Sequence, residues 1–190
     1  SRRVTFGEER ILLQDEHLLV VDKPSGLVSV PPTPTGEPTV LDHLVRITGG
    51  PVLGVHRLDH GTSGLMLFAR SQDAADVFED AFRRHEVRRT YLAICHGVPR
   101  TPALWDEPLT LSKPGAAPRE VSAVTRLLSA DAAGPAALLH LALDTGRWHQ
   151  VRLHAALHGH PLLGDRDHGD PVLDRALHPR RLALHSHTLV

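Results

Sequence analysis

Apolar positions along the chain fall into short clusters separated by polar, glycine or proline punctuation. Ile11-Leu12-Leu13 and Leu18-Leu19-Val20-Val21 flank the polar pair Asp15-Glu16 and read as two short strands around a turn. Lys23-Pro24-Ser25-Gly26 ends the second strand, and Pro31 to Pro38 reads as loop. Val40 to Val45 has the pattern of a short helix, with Thr39 as N-cap and Gly49-Gly50 as its stop. Val52 to Leu58 and Leu65 to Ala69 are apolar runs of strand length on either side of the polar turn Asp59 to Gly64. Ser71 then caps a helix in which Ala74, Val77, Phe78, Ala81 and Phe82 recur at helical spacing and predict a buried stripe.

Farther along, Thr90 to Cys95 reads as a strand, and Pro99 to Pro118, with five prolines, as a long surface loop. Val121 to Leu128 and Ala137 to Leu143 predict a hairpin around Ala132-Ala133-Gly134-Pro135. Trp148 to His158 predicts a helix, stopped by Gly159 with Pro161 just beyond, and Arg181 to Leu189 a final strand. There is no internal repeat and no clear domain boundary. Strand pairs with a few intervening helices imply an α+β fold on a mixed, mainly antiparallel sheet.

Composition narrows this picture. A chain of 190 residues with 41% hydrophobic and 23% charged residues suits one globular domain and excludes a disordered segment. No apolar run approaches the roughly 20 residues of a membrane helix, and Ser1 to Thr5 lacks the apolar core of a signal peptide. A cytoplasmic protein with no membrane partner is expected. The single cysteine, Cys95, excludes an internal disulfide and a Cys-rich zinc site, and reads as a half-buried strand residue. Fifteen histidines invite a metal reading, but there is no HExxH pattern and no cysteine partner, so no metal is expected.

A formal net charge of −1 by itself argues against a nucleic-acid partner. The basic residues are nearly all arginine, however, Lys23 and Lys113 being the only lysines. A planar guanidinium grips phosphate and stacks on bases, which suits RNA. A GC-rich genome explains the same bias, along with the abundance of Ala, Gly and Pro.

Three segments carry candidate chemistry. In Val55-His56-Arg57-Leu58-Asp59-His60-Gly61-Thr62-Ser63-Gly64 an apolar strand delivers a carboxylate into a turn whose glycines leave room for a ligand. Thr62 and Ser63 are placed to cap that turn or to hold Asp59; a strand-ending Asx turn is the plain alternative. In Arg88-Arg89-Thr90-Tyr91-Leu92-Ala93 the only tyrosine follows two arginines, as a core residue or as a base-stacking ring beside phosphate ligands. In Asp144-Thr145-Gly146-Arg147-Trp148-His149-Gln150-Val151-Arg152-Leu153-His154 a glycine turn opens a polar, basic helix, which reads as a solvated surface or as a donor-rich wall.

In this order the segments resemble the RluA family of pseudouridine synthases. His56 to Leu65 matches its HRLDxxTSGL motif, and Arg89-Thr90-Tyr91-Leu92-Ala93 its segment leading to a tyrosine. Gly146 to His154 matches GRxHQ(I/V)RxH, and Gly159 to Asp165 matches GHPxxGD. Val20 to Leu27 is similar to the family's early strand and KPxG turn, so the resemblance runs from about Ile11 to Leu189. It departs at Trp148, where a polar residue is commoner, at His60-Gly61, and at His168, where a tyrosine is common. No S4-like RNA-binding segment precedes the first strand, so residues 1 to 190 are expected to be a single catalytic domain.

The resemblance implies a pseudouridine synthase fold, with an active-site cleft across a sheet flanked by helices and loops. It implies a monomeric isomerase that uses no cofactor and turns uridine into pseudouridine in ribosomal RNA, transfer RNA or both. Asp59 would be the catalytic carboxylate, Arg152 its charge partner, and Tyr91 the ring that stacks on uracil and helps remove the C5 proton. Arg57 would take up the space or the phosphate contacts left once the base is flipped, and Leu153 would line the uracil slot. His56, Thr62, Arg89, Arg147, His149 and Gln150 complete the residues expected to bind substrate. Two other readings stand beside this one. A non-catalytic RNA-binding module has no need of Asp59, Tyr91 and Arg152 as a set. A glycoside hydrolase needs a second carboxylate roughly 5–9.5 Å from Asp59, for which Glu86, Asp144 and Asp165 are the candidates.

Overall fold

The computed structural model describes residues 4–112 and 115–190. Lys113, one of the two lysines, lies outside the described residues. The chain forms two compact units, one reaching Val87 and including Leu189, the other spanning Arg88–Thr188 with Val190. Four α-helices and mainly antiparallel strands among the described residues make this the expected α+β fold.

In the first unit, β1 (Ile11–Gln14) pairs with β2 (Leu18–Lys23), and β2 with β4 (Ser63–Ala69), both antiparallel. Side chains alternate along a strand, so Leu19, Val21 and Lys23 of β2 turn to the buried face and oppose Phe68, Met66 and Gly64 of β4. Helix α1 (Val40–Thr48) starts and stops where its sequence predicts. Thr39 accepts from the Asp42 amide while the Asp42 carboxylate accepts from the Thr39 amide, and Gly49 closes the helix in the left-handed region at φ 65°.

Ser71 likewise caps α2 (Gln72–Arg83). The buried stripe of α2 differs from the predicted one, because Ala75 is buried while Val77 is 65% exposed. Ala75, Phe78 and Phe82 share one face at the helical repeat, and Val77 falls outside it.

The predicted strand from Val52 to Leu58 shrinks to β3 (Leu53–Gly54). Beyond Gly54, side chains replace the ladder partners. The Leu67 amide of β4 donates to His56 Nε2 (2.9 Å). The Leu58 amide donates to Ser29 Oγ (3.2 Å), and the Ser29 hydroxyl donates to the Leu58 carbonyl (2.7 Å).

In the second unit, β5 (Arg89–His96) pairs along its full length with β10 (Ala136–Leu143). β10 pairs in turn with β9 (Thr125–Ala133), a hairpin closed by Gly134-Pro135 alone and therefore tighter and longer than predicted. The segment Pro99 to Pro118 is no plain loop. It holds β6 (Ala103–Trp105), which extends the sheet on β9, and β7 (Leu109–Leu111), which pairs with β8 (Arg119–Val121). Buried Trp105, Leu109 and Leu111 give these strands their apolar anchors despite the prolines.

Helix α3 (Gln150–Leu157) begins two residues later than its sequence suggests, because His149 is left-handed (φ 53°) and turns the chain into the helix. Helix α4 (Pro171–Leu177), capped by Asp170 and with proline at its start, has no counterpart in the sequence reading. The last strand, β11 (Leu184–Leu189), neighbours β5. Cys95 is fully buried on β5, and burial pushes its thiol up to about 11, which leaves it unreactive at neutral pH.

Candidate active site

The turn that carries Asp59 is held by main-chain anchors on both sides. Leu58 is buried, and Ser29 binds both its amide and its carbonyl. After Asp59, the Thr62 amide donates to the Asp59 carbonyl (3.0 Å) and closes the turn. The Gly26 amide (2.8 Å) and Lys23 Nζ (3.2 Å) donate to the His60 carbonyl, and Ser25 Oγ donates to the Gly61 carbonyl (2.7 Å). The early Lys23-Pro24-Ser25-Gly26 turn is therefore the clamp of the Asp59 turn. Lys23 is wholly buried, with its ammonium also donating to the Pro24 carbonyl. Its carbonyl partners offset part of the cost of burying the charge. Asp59 itself is half-buried at the edge of this rigid turn.

His56 faces inward. Since Nε2 accepts from the Leu67 amide, the imidazole proton sits on Nδ1, and the ring stacks on Phe82 with centroids 4.6 Å apart. It positions the segment that leads to Asp59. Arg57 is exposed. Thr62 is buried and its hydroxyl has no partner among the described residues, so the expectation that this hydroxyl holds Asp59 is not met; the turn is closed by its amide instead.

In the second unit Tyr91 is buried on β5 opposite Leu141. Two residues before it, the Arg89 guanidinium lies over Gly146, where a Cβ would overlap it. The glycine of the Gly146-Arg147 motif thus leaves room for the Arg89 guanidinium in this position, and a larger residue there would make that side chain shift. Arg147 is exposed, with Nε donating to the Ser122 carbonyl (2.8 Å).

Gln150, expected to contact substrate, is buried and fully engaged within the protein. Its carbonyl accepts from Thr145 Oγ1 (2.7 Å) and the Arg147 amide (3.0 Å), and its NH2 donates to the Val124 carbonyl and Thr125 Oγ1 (both 2.9 Å). These four bonds exhaust a primary amide, so Gln150 is a positioning residue. The Thr125 hydroxyl passes the chain to His154 Nδ1 (2.8 Å), and His154 Nε2 donates to the Glu107 carbonyl (3.0 Å). Burial holds the His154 imidazole below its ordinary value, in agreement with this neutral tautomer. Gln150→Leu leaves several buried groups unpaired and is expected to lower stability by about 2–4 kcal/mol. Denaturant unfolding checks this, and a change within about 0.5 kcal/mol would remove the amide's structural role.

Arg152, also on α3, is buried and held as firmly as Gln150. Nε and Nη2 form a fork on Asp165 (2.9 and 2.6 Å), Nη2 also reaches Asp167 (2.6 Å), and Nη1 donates to His149 Nε2 (2.8 Å). Burial alone would raise the Asp165 carboxyl; the Arg152 hydrogen bonds and charge, with the His168 and Asp167 amides, bring it below its ordinary value. An arginine only donates, so His149 Nε2 is unprotonated and its Nδ1–H donates to His168 Nε2 (2.8 Å). Trp148 stacks on His149 with centroids 3.6 Å apart. The departures from the family pattern at Trp148 and His168 therefore meet in one ring cluster beside Arg152, in which His168 lies edge-on to both Trp148 and His149. Leu153 and Trp148 pack against Leu109, Leu111 and Ala123, which places Leu153 on a small satellite core.

Lys23, Ser25 and Ser29 are not among the expected site residues, yet they hold the main chain of Leu58, His60 and Gly61 around Asp59, and Asp165, weighed only as a second carboxylate, holds Arg152. Only the Lys23-Pro24-Ser25-Gly26 and Gly164-Asp165 motifs hinted at this. Two candidate second carboxylates for a hydrolase are held by arginines, Asp165 by Arg152 and Asp144 by a fork from Arg126. Glu86 is exposed. Among the described residues no group of three His, Cys, Asp or Glu could hold a metal ion.

Residues 17–157 match the model of the RNA pseudouridylate synthase family. The chain is 35% identical over 194 residues to the uncharacterized RNA pseudouridine synthase YhcT of Bacillus subtilis, covering 93% of this chain and 64% of that protein. It is 34% identical to ribosomal large subunit pseudouridine synthase D of Zymomonas mobilis, covering 93% and 62%. It is 36% identical to the dual-specificity RNA pseudouridine synthase RluA of Escherichia coli, covering 94% and 84%. The chain thus spans less than two thirds of the length of some curated relatives. Among solved structures, the human RNA pseudouridylate synthase domain containing 4 superposes with a TM-score of 0.75 at 26% identity, over 95% of this chain and 83% of that one. With 141 of its 190 residues inside the matched region, from 17 to 157, the chain belongs to the RNA pseudouridylate synthase family.

Proposed function

We propose that this chain isomerises uridine to pseudouridine in structured RNA, with Asp59 as the catalytic carboxylate. The observation that carries the reading is that the matched region, 17–157, contains Asp59, Tyr91 and Arg152 together. The N1–C1′ bond breaks, the uracil turns, C5 bonds to C1′, the C5 proton leaves and N1 takes up a proton. Electrons balance without an oxidant or reductant, so the reaction needs no redox cofactor.

Asp59 supplies the negative charge that acts on the ribose or the uracil, and the clamped turn supports its aim. Arg152, preset by Asp165, is the cation assigned to that carboxylate. Tyr91 stacks on the uracil and assists loss of the C5 proton. The target uridine leaves its stack to react, at a cost of a few kcal/mol. Ribosomal and transfer RNA are the substrate classes, since relatives named for each, and one named for dual specificity, share about a third of their residues with this chain. The cytoplasm is the proposed compartment and a monomer the proposed working form.

Pseudouridine mapping of ribosomal and transfer RNA from cells with and without the gene tests the reading. Loss of at least one pseudouridine is expected, and identical maps would count against it. Tyr91→Phe keeps the ring but removes the hydroxyl. Turnover is expected to fall by roughly 100-fold or more with little change in RNA affinity. Full turnover would remove Tyr91 from proton transfer.

A further inference from the structure

We propose that the second unit carries a phosphate-binding site apart from the catalytic residues, a hollow of about 280 Å³ bordered by Arg166, Arg175, Arg180 and Arg181, which takes a backbone phosphate of the RNA. The proposal rests on the RNA substrate of the preceding section and adds to it where the RNA is held.

By sequence the segment 164–181 is neutral, with four arginines against Asp165, Asp167, Asp170 and Asp174. The fold separates the two signs. Asp165 and Asp167 are committed to Arg152. Asp170 accepts from the Val172 and Leu173 amides as the cap of α4. Asp174, the one carboxylate on the lining, accepts from the Gly164 amide and pairs with His96 Nε2 at 2.7 Å.

Each acid thus has a partner of its own, although Asp167 stays 61% exposed. Arg166, Arg175 and Arg180 are exposed and meet no carboxylate among the described residues. Convergence follows from the left-handed His178 (φ 47°), which ends α4 and returns Pro179 to Arg181 alongside it. Such a cluster on a chain of net charge −1 concentrates positive potential where guanidinium forks can grip phosphate.

The place of this hollow sets what it binds. Its lining residue Asp174 is held by His96, and side chains alternate along β5, so His96 leaves that strand on the face opposite Tyr91. A phosphate held here belongs to RNA away from the target uridine. The site therefore serves extended RNA and not a minimal stem-loop.

The test compares the wild-type chain with Arg175→Gln/Arg180→Gln, two exposed positions remote in sequence from the Arg152 anchors. Binding to a full-length transfer RNA transcript and to a short stem-loop is measured over a salt series, with turnover measured on both. Expected for the variant are an unchanged Tm, about tenfold weaker binding to the long RNA, and a log K against log salt slope shallower by about 1–2. Stem-loop binding and turnover should not change. Arg175→Lys/Arg180→Lys should restore most of the slope, since it keeps the charge.

Equal affinity and slope on the long RNA would overturn the proposal, as would an equal loss on the stem-loop. So would a variant that loses only a thermal shift induced by inorganic phosphate, since the ligand would then be a free anion. Wild-type chain that binds long RNA but turns over none of it would refute the catalytic reading alone, leaving the binding comparison to decide this site.

Discussion

Asp59→Asn is expected to abolish release of tritium from RNA labelled at uracil C5, a loss of roughly a thousandfold or more. The amide matches the carboxylate in size and keeps an acceptor, but it has neither the charge nor the basicity the reaction draws on. The turn itself depends on main-chain groups and on Lys23, Ser25 and Ser29. The variant should therefore fold with a Tm close to that of the wild type and bind RNA nearly as well. Such a pattern, turnover gone with binding kept, marks an interaction used in the reaction itself. An active Asp59→Asn enzyme would dismiss Asp59 as the catalytic group.

Asp165→Ala is expected to be the most damaging single change outside the reacting groups. It strips a buried arginine of its forked carboxylate and frees the His168 and Asp167 amides at the same time. Breaking a buried pair by removing one partner costs about 3–5 kcal/mol. Because the Asp165 carboxyl is held below its ordinary value, the pair's contribution is full above about pH 4, the range of an unfolded Asp, and is lost as the pH falls further. Denaturant unfolding at pH 7 and pH 3 tests both points: a large gap from wild type at neutral pH should narrow in acid. A gap below about 1 kcal/mol at pH 7 would contradict the role given to Asp165. Activity should fall as well, since Arg152 loses its aim, and Asp165→Asn should recover only part of it.

Local signals in the sequence hold where the physics is local. Thr39 with Asp42, Gly49, and Ser71 set helix ends through bonds three or four residues long, and those ends lie where the pattern puts them. The local pattern and the structure part where distant side chains decide. The apolar run before Asp59 has strand composition, yet the Leu58 amide bonds to Ser29 of another segment and the run meets β4 through the His56 ring. Prolines between Pro99 and Pro118 concealed β6 and β7, which exist because Trp105, Leu109 and Leu111 have a core to enter. His149 in a left-handed conformation moved the start of α3, a choice that its contacts with Arg152 and His168 explain and its residue type does not.

The candidate site followed the same rule. Which residues matter was legible from motif order, while what each does was not. Gln150 and His154 have the look of polar surface on a helical pattern, but both are buried in one hydrogen-bonded chain. Lys23 has the look of a turn residue, but it is a buried clamp on the Asp59 turn. Pairings between residues 25 to 47 positions apart carry these roles, and no local periodicity encodes them.

The most direct measurement of the central claim is a nuclease digest of C5-tritiated ribosomal or transfer RNA after incubation with the wild-type chain. Pseudouridine should appear one for one with the tritium released, at unchanged RNA mass apart from the label and with no free uracil. Free uracil with abasic ribose, or no pseudouridine from either RNA class, would contradict the account.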